Sequence, residues 1–195
     1  MARIVPLTAE QLAARDIDLS FIGSDFHELP NSVPTLAYRP DILRATGTLW
    51  AAVMGPGTVE SDLKWLVGYM ASMAAGCRYC SAHTGTGANG NNVSAEKLAD
   101  IWNFENSPLF TDAERSALRV AMGAAHTPNA VSDADFAAMA TYFSQEQQVE
   151  IVSVIALYGF FNRWNDTVGT TLEATPRHFA ETHLVAPGWE IGKHD

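Results

Sequence analysis

A chain of 195 residues is long enough for one domain with a sizeable core, and its apolar-rich, charge-poor composition excludes an intrinsically disordered chain. The formal net charge of −10, from 12 basic and 22 acidic residues, repels phosphate backbones, and no Lys/Arg run relieves it locally. Nucleic acid and anionic membrane surfaces are therefore not expected as partners.

Residues 1–8 carry no apolar stretch of signal-peptide length, so a cytoplasmic setting is expected. Thr8 and Gln11 have capping-box spacing for a short helix over residues 9–15. Residues 16–40, with Pro30, Pro34 and Pro40, read as an irregular arm. Asp41 opens a second helix carrying Ile42, Leu43, Leu49 and Trp50, which Gly55-Pro56-Gly57 stops. Ser61 or Asp62 caps an apolar helix over residues 63–75, with Leu63, Leu66, Val67, Met70 and Met73 near helical spacing. Gly76 ends it.

After the cysteine segment, the run from Gly85 to Asn92 reads as a turn. Ser94 starts a helix to about Phe104, and Thr111 with Glu114 forms a second capping box opening a helix to about Ala125. Residues 132–142 form a further helix, and Ser144 caps the longest, running from Gln145 to about Leu172. The most apolar run, residues 151–161, is too short to cross a bilayer, which takes about 20 residues. With no period-2 alternation, the fold class is all-α, a bundle of helix pairs joined by short loops. Residues 1–34 are the N-terminal helix and arm, 35–175 the helical domain, and 176–195 a tail whose Trp189 and histidines suit docking on a neighbour.

Chemistry is expected at Cys77-Arg78-Tyr79-Cys80-Ser81-Ala82-His83, which holds both cysteines of the chain. In a helical setting the two sulfurs lie one turn apart, with Cα atoms about 5 Å apart, inside the range a disulfide tolerates. A bridge over so small a loop removes little unfolded-state entropy, which favours redox or metal chemistry over a structural staple. Gly76 marks the start of a helix whose N–H groups stabilise a thiolate. Cys77, Cys80 and His83 follow one another at offsets of about 60°, placing the imidazole beside Cys80 as proton acceptor or donor. Two plain alternatives stand beside this: buried packing residues, or a zinc site that would need His27 or His126 as a fourth ligand. Gly85-x-Gly87-x-x-Gly90 matches a dinucleotide fingerprint by letter but follows a helix, so no cofactor is expected from it. His126 reads as a helix C-terminal partner, and Asn162, Arg163, Trp164 and Asp166 as a buried polar network or subunit contact.

On the cysteine motif with its preceding apolar helix, on residues 161–166 (Phe-Asn-Arg-Trp-Asn-Asp), and on Leu172-Glu173 before Pro176, the chain resembles the alkylhydroperoxidase D and carboxymuconolactone decarboxylase family. The resemblance implies an all-α homo-oligomer and a thiol peroxidase or disulfide reductase without a metal or cofactor. It implies Cys80 as the peroxide-reactive thiol, Cys77 as the resolving thiol and His83 as the proton carrier. A hydroperoxide would be the substrate, and an external dithiol or thioredoxin-like protein the reductant. The chain departs from the pattern in two places. Only Ser81 and Ala82 separate Cys80 from His83, one residue fewer than in alkylhydroperoxidase D. The relay glutamate about a dozen residues before the first cysteine falls on Trp65, with Glu60 and Asp62 at other angles, so the relay acid is expected to be missing. A decarboxylase-type enzyme and a non-catalytic redox sensor or helical assembly protein are the alternative functions.

Overall fold

The structure, a computed structural model, describes residues 2–15, 17, 19 and 28–195. Among the described residues there are ten α-helices and no strand. They are α1 (Ala9–Ala14), α2 (Ser32–Leu36), α3 (Pro40–Met54), α4 (Ser61–Ala74), α5 (Arg78–Gly90), α6 (Ala95–Ala99), α7 (Asp112–Ala125), α8 (Asp133–Ala140), α9 (Gln145–Val168) and α10 (Ala174–His183). The all-α reading of the sequence holds. Among the described residues no helix is long and apolar enough to cross a membrane.

Local chemistry sets most of the helix starts. Thr8 and Gln11, Thr111 and Glu114, Ser132 and Asp135, and Ser144 and Gln147 all form reciprocal capping boxes, in which each side chain satisfies a backbone N–H that the first turn leaves unpaired. Other boundaries differ from expectation. The arm contains α2, while residues 16, 18 and 20–27 lie outside the described residues. The helix after Ser94 stops at Ala99 and gives way to a short 3-10 turn at Ile101–Asn103. The longest helix, α9, ends at Val168, which leaves Leu172 and Glu173 in the connection to α10.

The glycine run expected as a turn is instead the second half of α5. Its low helix propensity is overridden by packing. A Cβ at Gly87 would stand 2.3 Å from the Trp65 ring, and one at Gly85 would stand 2.9 Å from Leu184. Bare backbone at these positions lets α5 lie directly against α4 and α10.

At the centre is α4, buried on all sides from Lys64 to Met73 and packed against α5, α7 and α9. A helix apolar all round is the core of such a bundle. The C-terminal residues dock on their own chain: Ala180, Leu184 and Trp189 belong to the same core cluster as α4 and α5. A smaller cluster of Leu7, Leu12, Val33, Leu36, Ala37 and Leu43 fixes the N-terminal segment to α3, beside Trp164.

Lys64, in the first turn of α4, is 2% exposed. Its Nζ donates to the carbonyls of Val53 at 3.0 Å and Gly55 at 2.7 Å, closing the C-terminal end of α3, and it pairs with Glu150 of α9. Glu150 in turn accepts from the Thr58 N–H and hydroxyl, each at 2.8 Å. This buried cation therefore ties α3, α4 and α9 together. Lys64→Ala leaves Glu150 without its cation and two helix-end carbonyls without a donor, and is expected to lower stability by about 3 kcal/mol. Urea unfolding at pH 7 measures it, and a loss below about 1 kcal/mol would show that the tie carries little.

Candidate functional site

The site begins where α4 ends. Gly76 takes a left-handed φ of 72°, a conformation costly for any residue with a Cβ, and turns the chain back into α5. Cys77 is extended and sits at the N-cap, where its Sγ accepts the Cys80 N–H at 3.3 Å. A sulfur here takes the place of the usual hydroxyl or carboxylate cap and meets the positive end of the helix dipole. Both cysteines are free thiols and both are buried, with Cys77 1% and Cys80 3% exposed.

Cys80 stands in different surroundings. Its Sγ accepts from Asn165 Nδ2 at 3.5 Å, and Asn165 Oδ1 is held by the Thr170 hydroxyl at 2.9 Å. The sulfur borders a cavity of about 100 Å³ walled by Trp50, Trp65, Tyr158 and Phe161, with His83 on its rim. Trp50 packs edge-on against the other three rings, with centroids 5.8 to 5.9 Å apart. Burial pushes the Cys80 thiol pKa well above its ordinary range, and the neighbouring Cys77 pushes it further the same way; the Asn165 amide opposes both. The helix start that was expected to favour a thiolate thus acts on Cys77, while Cys80 lies among apolar walls.

Trp65 stands where the relay acid was expected to be missing, and a different acid, from elsewhere in the chain, reaches His83. Glu173, in the connection between α9 and α10, places Oε2 2.6 Å from His83 Nε2. Its Oε1 accepts from the Tyr79 hydroxyl at 2.7 Å and from the Asn31 N–H. Asn31 is itself held by its side-chain amide on the Thr171 carbonyl at 3.0 Å. Burial alone would raise the Glu173 carboxyl, but His83, the Asn31 N–H and the Tyr79 hydroxyl outweigh it and hold the pKa below the ordinary glutamate value. Trp65, at the position expected to carry the acid, forms a cavity wall instead. The His83 and Tyr79 rings lie 4.6 Å apart, so both donors reach Glu173 from one face of α5.

All three residues singled out in the sequence fall at one place, with Cys77 behind Cys80 and His83 beside it. Glu173 and Asn165, seen in the sequence only within the elements that carry the family resemblance, lie 90 and 85 residues from their partners, and no local spacing ties them to His83 or Cys80. Of the polar residues on α9, Asn162 donates to the Ala71 carbonyl at 3.4 Å, Arg163 to the Thr127 hydroxyl at 3.1 Å, and Asp166 pairs with Lys193 at 2.8 Å. His27 lies outside the described residues, and His126 is exposed at the end of α7. Among the described residues no group of three or more His, Cys, Asp or Glu side chains is placed to hold a metal ion. The letters of the dinucleotide fingerprint lie along α5.

Comparison with known proteins places this arrangement among relatives. The model of the carboxymuconolactone decarboxylase family matches residues 40–122, which include the cysteine pair and His83 but not Glu173. YnjA of Escherichia coli (strain K12) is 32% identical over 92 residues, 47% of this chain, and the match spans only 50% of YnjA. The crystal structure of the apo debrominase Bmp8 is 30% identical, with a TM-score of 0.83 over 91% of this chain and 96% of that one. A cysteine-to-alanine variant of Bmp8 in complex with 2,3,4-tribromopyrrole gives 29% identity and a TM-score of 0.84, over 92% and 96% of the two chains. A peroxidase-related protein with an alkylhydroperoxidase AhpD core, from Ralstonia eutropha JMP134, shares the fold at 24% identity and a TM-score of 0.76, over 92% and 95%.

Because Glu173 titrates below its ordinary value in the folded chain, the stability it contributes is fully present above the unfolded pKa near 4.5 and is lost as the pH falls through the folded pKa. Glu173→Gln removes the charge facing His83 and is expected to cost about 3 kcal/mol at pH 7. The gap between wild type and variant should narrow below pH 4.5, as thermal unfolding between pH 7 and 3.5 would show. A gap independent of pH would mean that the carboxylate is not held as a charge.

Proposed function

The chain belongs to the carboxymuconolactone decarboxylase family, with its alkylhydroperoxidase D-like fold, and on that premise we propose that it is a dithiol reductase of small apolar substrates. Cys80 is the attacking thiol, Cys77 the resolving thiol, and His83 the proton carrier positioned by Glu173. One observation carries the reading: Cys80 and His83 border the same apolar cavity, and a buried carboxylate stands behind the imidazole. A nucleophile, a base and a group orienting the base are the three parts that activated nucleophiles need.

A raised thiol pKa makes the base necessary. The bond to the Glu173 carboxylate puts a proton on Nε2 and orients the ring as the proton carrier for Cys80. With a hydroperoxide, the Cys80 thiolate attacks the terminal oxygen. The O–O bond breaks, an S–O bond forms, and the departing alkoxide takes a proton from the imidazolium, giving an alcohol and a sulfenic acid. Cys77 then attacks the Cys80 sulfur, an S–S bond forms, and the sulfenic oxygen leaves as water. Two electrons pass from the dithiol to the peroxide.

A second substrate class is favoured by the aromatic walls of the cavity together with the whole-length likeness to a debrominase. For a halogenated aromatic ring the thiolate takes the halogen, the ring carbon takes the proton, and Cys77 expels halide from the Cys80 sulfur. The protein product is the same disulfide. Decarboxylation, the chemistry in the family name, calls for no such pair, and two neighbouring thiols, one of them on the cavity wall, argue for reduction instead.

Reduced protein mixed with cumene hydroperoxide or with 2,3,4-tribromopyrrole is expected to lose two thiols per chain and gain one disulfide by mass. Cys80→Ser should abolish the reaction with both probes. Cys77→Ser should stop the peroxide reaction at a sulfenic acid that dimedone captures. Full turnover by the Cys80→Ser variant, or thiols inert to both probes at neutral pH, would refute the proposal.

A further inference from the structure

The reading above leaves a disulfide that must be reduced, and the structure limits what can reach it. We propose that the Cys77–Cys80 disulfide is reduced by a low-molecular-weight thiol that enters the substrate cavity and attacks Cys80, and not by a thioredoxin-like protein. This rests on the dithiol reading of the site and narrows the reductant expected for it.

Disulfide exchange needs the attacking sulfur in contact with a disulfide sulfur. A protein donor carries its thiol on a folded surface and needs a sulfur it can touch there. Cys77 and Cys80 are 1% and 3% exposed. In a C-x-x-C helix the natural place for a protein donor is the helix N-terminus, where the first cysteine meets solvent. Here the chain's own C-terminal strap is fixed to that end. Trp189 Nε1 donates to the Arg78 carbonyl at 2.9 Å, and the Arg78 guanidinium donates to the Gly188 carbonyl at 3.0 Å. Trp102 Nε1 secures the same segment through the Pro187 carbonyl at 2.9 Å.

The far end of the strap is held as firmly. The Leu172 N–H donates to the His194 carbonyl at 2.8 Å, His194 is fully buried, and Arg177 pairs with Asp195 at 2.7 Å. Trp189 itself is 4% exposed and part of the core. Displacing the strap would therefore open the core, which a passing encounter with a donor protein does not supply. The cavity of about 100 Å³ reaches Cys80 without any such change. An apolar cavity of comparable size, about 150 Å³, takes up benzene, so a thiol on a short chain fits while a folded protein does not.

The polarity of the two sulfurs agrees with attack at Cys80. When an incoming thiolate bonds to Cys80, the S–S bond breaks and Cys77 departs as a thiolate. It departs into the Cys80 N–H and the positive end of α5, the better place for a negative sulfur. A second thiol then attacks the small-molecule sulfur of the mixed disulfide and releases the Cys80 thiolate. Two thiols become one small disulfide, and their two protons end on Cys77 and Cys80.

The test starts from full-length protein converted to the disulfide with diamide, so that it needs neither proposed substrate. Its reduction by dithiothreitol, by 2-mercaptoethanol, or by thioredoxin with its reductase and NADPH is followed by maleimide mass shift. At equal thiol concentration thioredoxin is expected to be no faster than dithiothreitol. Thr46→Trp, which fills the cavity from α3, should slow dithiothreitol about tenfold; Thr46→Leu should act in the same direction should the larger variant not fold. Thioredoxin faster than dithiothreitol, or a dithiothreitol rate unchanged in both Thr46 variants, would overturn the proposal while leaving the dithiol reading intact. A protein that forms no intramolecular disulfide with diamide would overturn that reading and this inference together.

Discussion

The carboxylate of Glu173 lies among side chains instead of water, and the site depends on the donors that make this tolerable. A buried charge is costly unless hydrogen bonds replace its hydration, and three groups do so here: the Asn31 N–H, the Tyr79 hydroxyl and the His83 imidazole. They come from the start of α2 and from two turns of α5, while Glu173 itself introduces α10. The carboxylate is therefore the point at which the N-terminal arm, the cysteine helix and the C-terminal strap meet. It fixes the orientation of His83 as a by-product of its own solvation. A histidine one turn beyond Cys80 has several rotamers open to it, and the bond to Glu173 selects one.

Against that fixed imidazole the two sulfurs are unequal. Cys77 caps a helix and receives its N–H, whereas Cys80 faces aromatic walls with one weak donor from Asn165. Low dielectric at Cys80 suppresses the thiolate in the resting protein and strengthens any charge–dipole interaction once the thiolate forms. A buried thiol of this kind does not react with whatever diffuses past. In the proposed mechanism it reacts with what the cavity admits, with His83 as its base. In the same proposal the burial that would select the substrate also closes the pair to large redox partners, which gives the C-terminal strap a part in the chemistry although it touches no reacting atom.

Much of this was legible along the chain. Helix starts were readable at Thr8, Thr111 and Ser144 because a capping box is a contact over three residues, complete within the local sequence. Cys77, Cys80 and His83 were readable for the same reason, their helical spacing being enough to bring them together. The glycines of α5 misled because helix propensity is a local quantity, and the packing of Trp65 on Gly87 is not. Glu173 was visible only as part of a Leu-Glu pair before Pro176, and nothing local ties it to a histidine 90 residues earlier. The position where an acid was expected holds Trp65, a cavity wall, and the carboxylate at His83 comes from the other end of the domain. The acid at His83 is set by the tertiary fold, which brings the segment before α10 past the histidine.

In the proposed mechanism Glu173, through His83, governs the reactivity of Cys80. The most direct measurement is the rate of Cys80 alkylation by iodoacetamide from pH 6 to 10, in the Cys77→Ser background with and without Glu173→Gln, with circular dichroism to check that both variants stay folded over that range. The account predicts that the glutamine variant reacts about tenfold more slowly near pH 7 and that its profile shifts to higher pH. Superimposable profiles would contradict it.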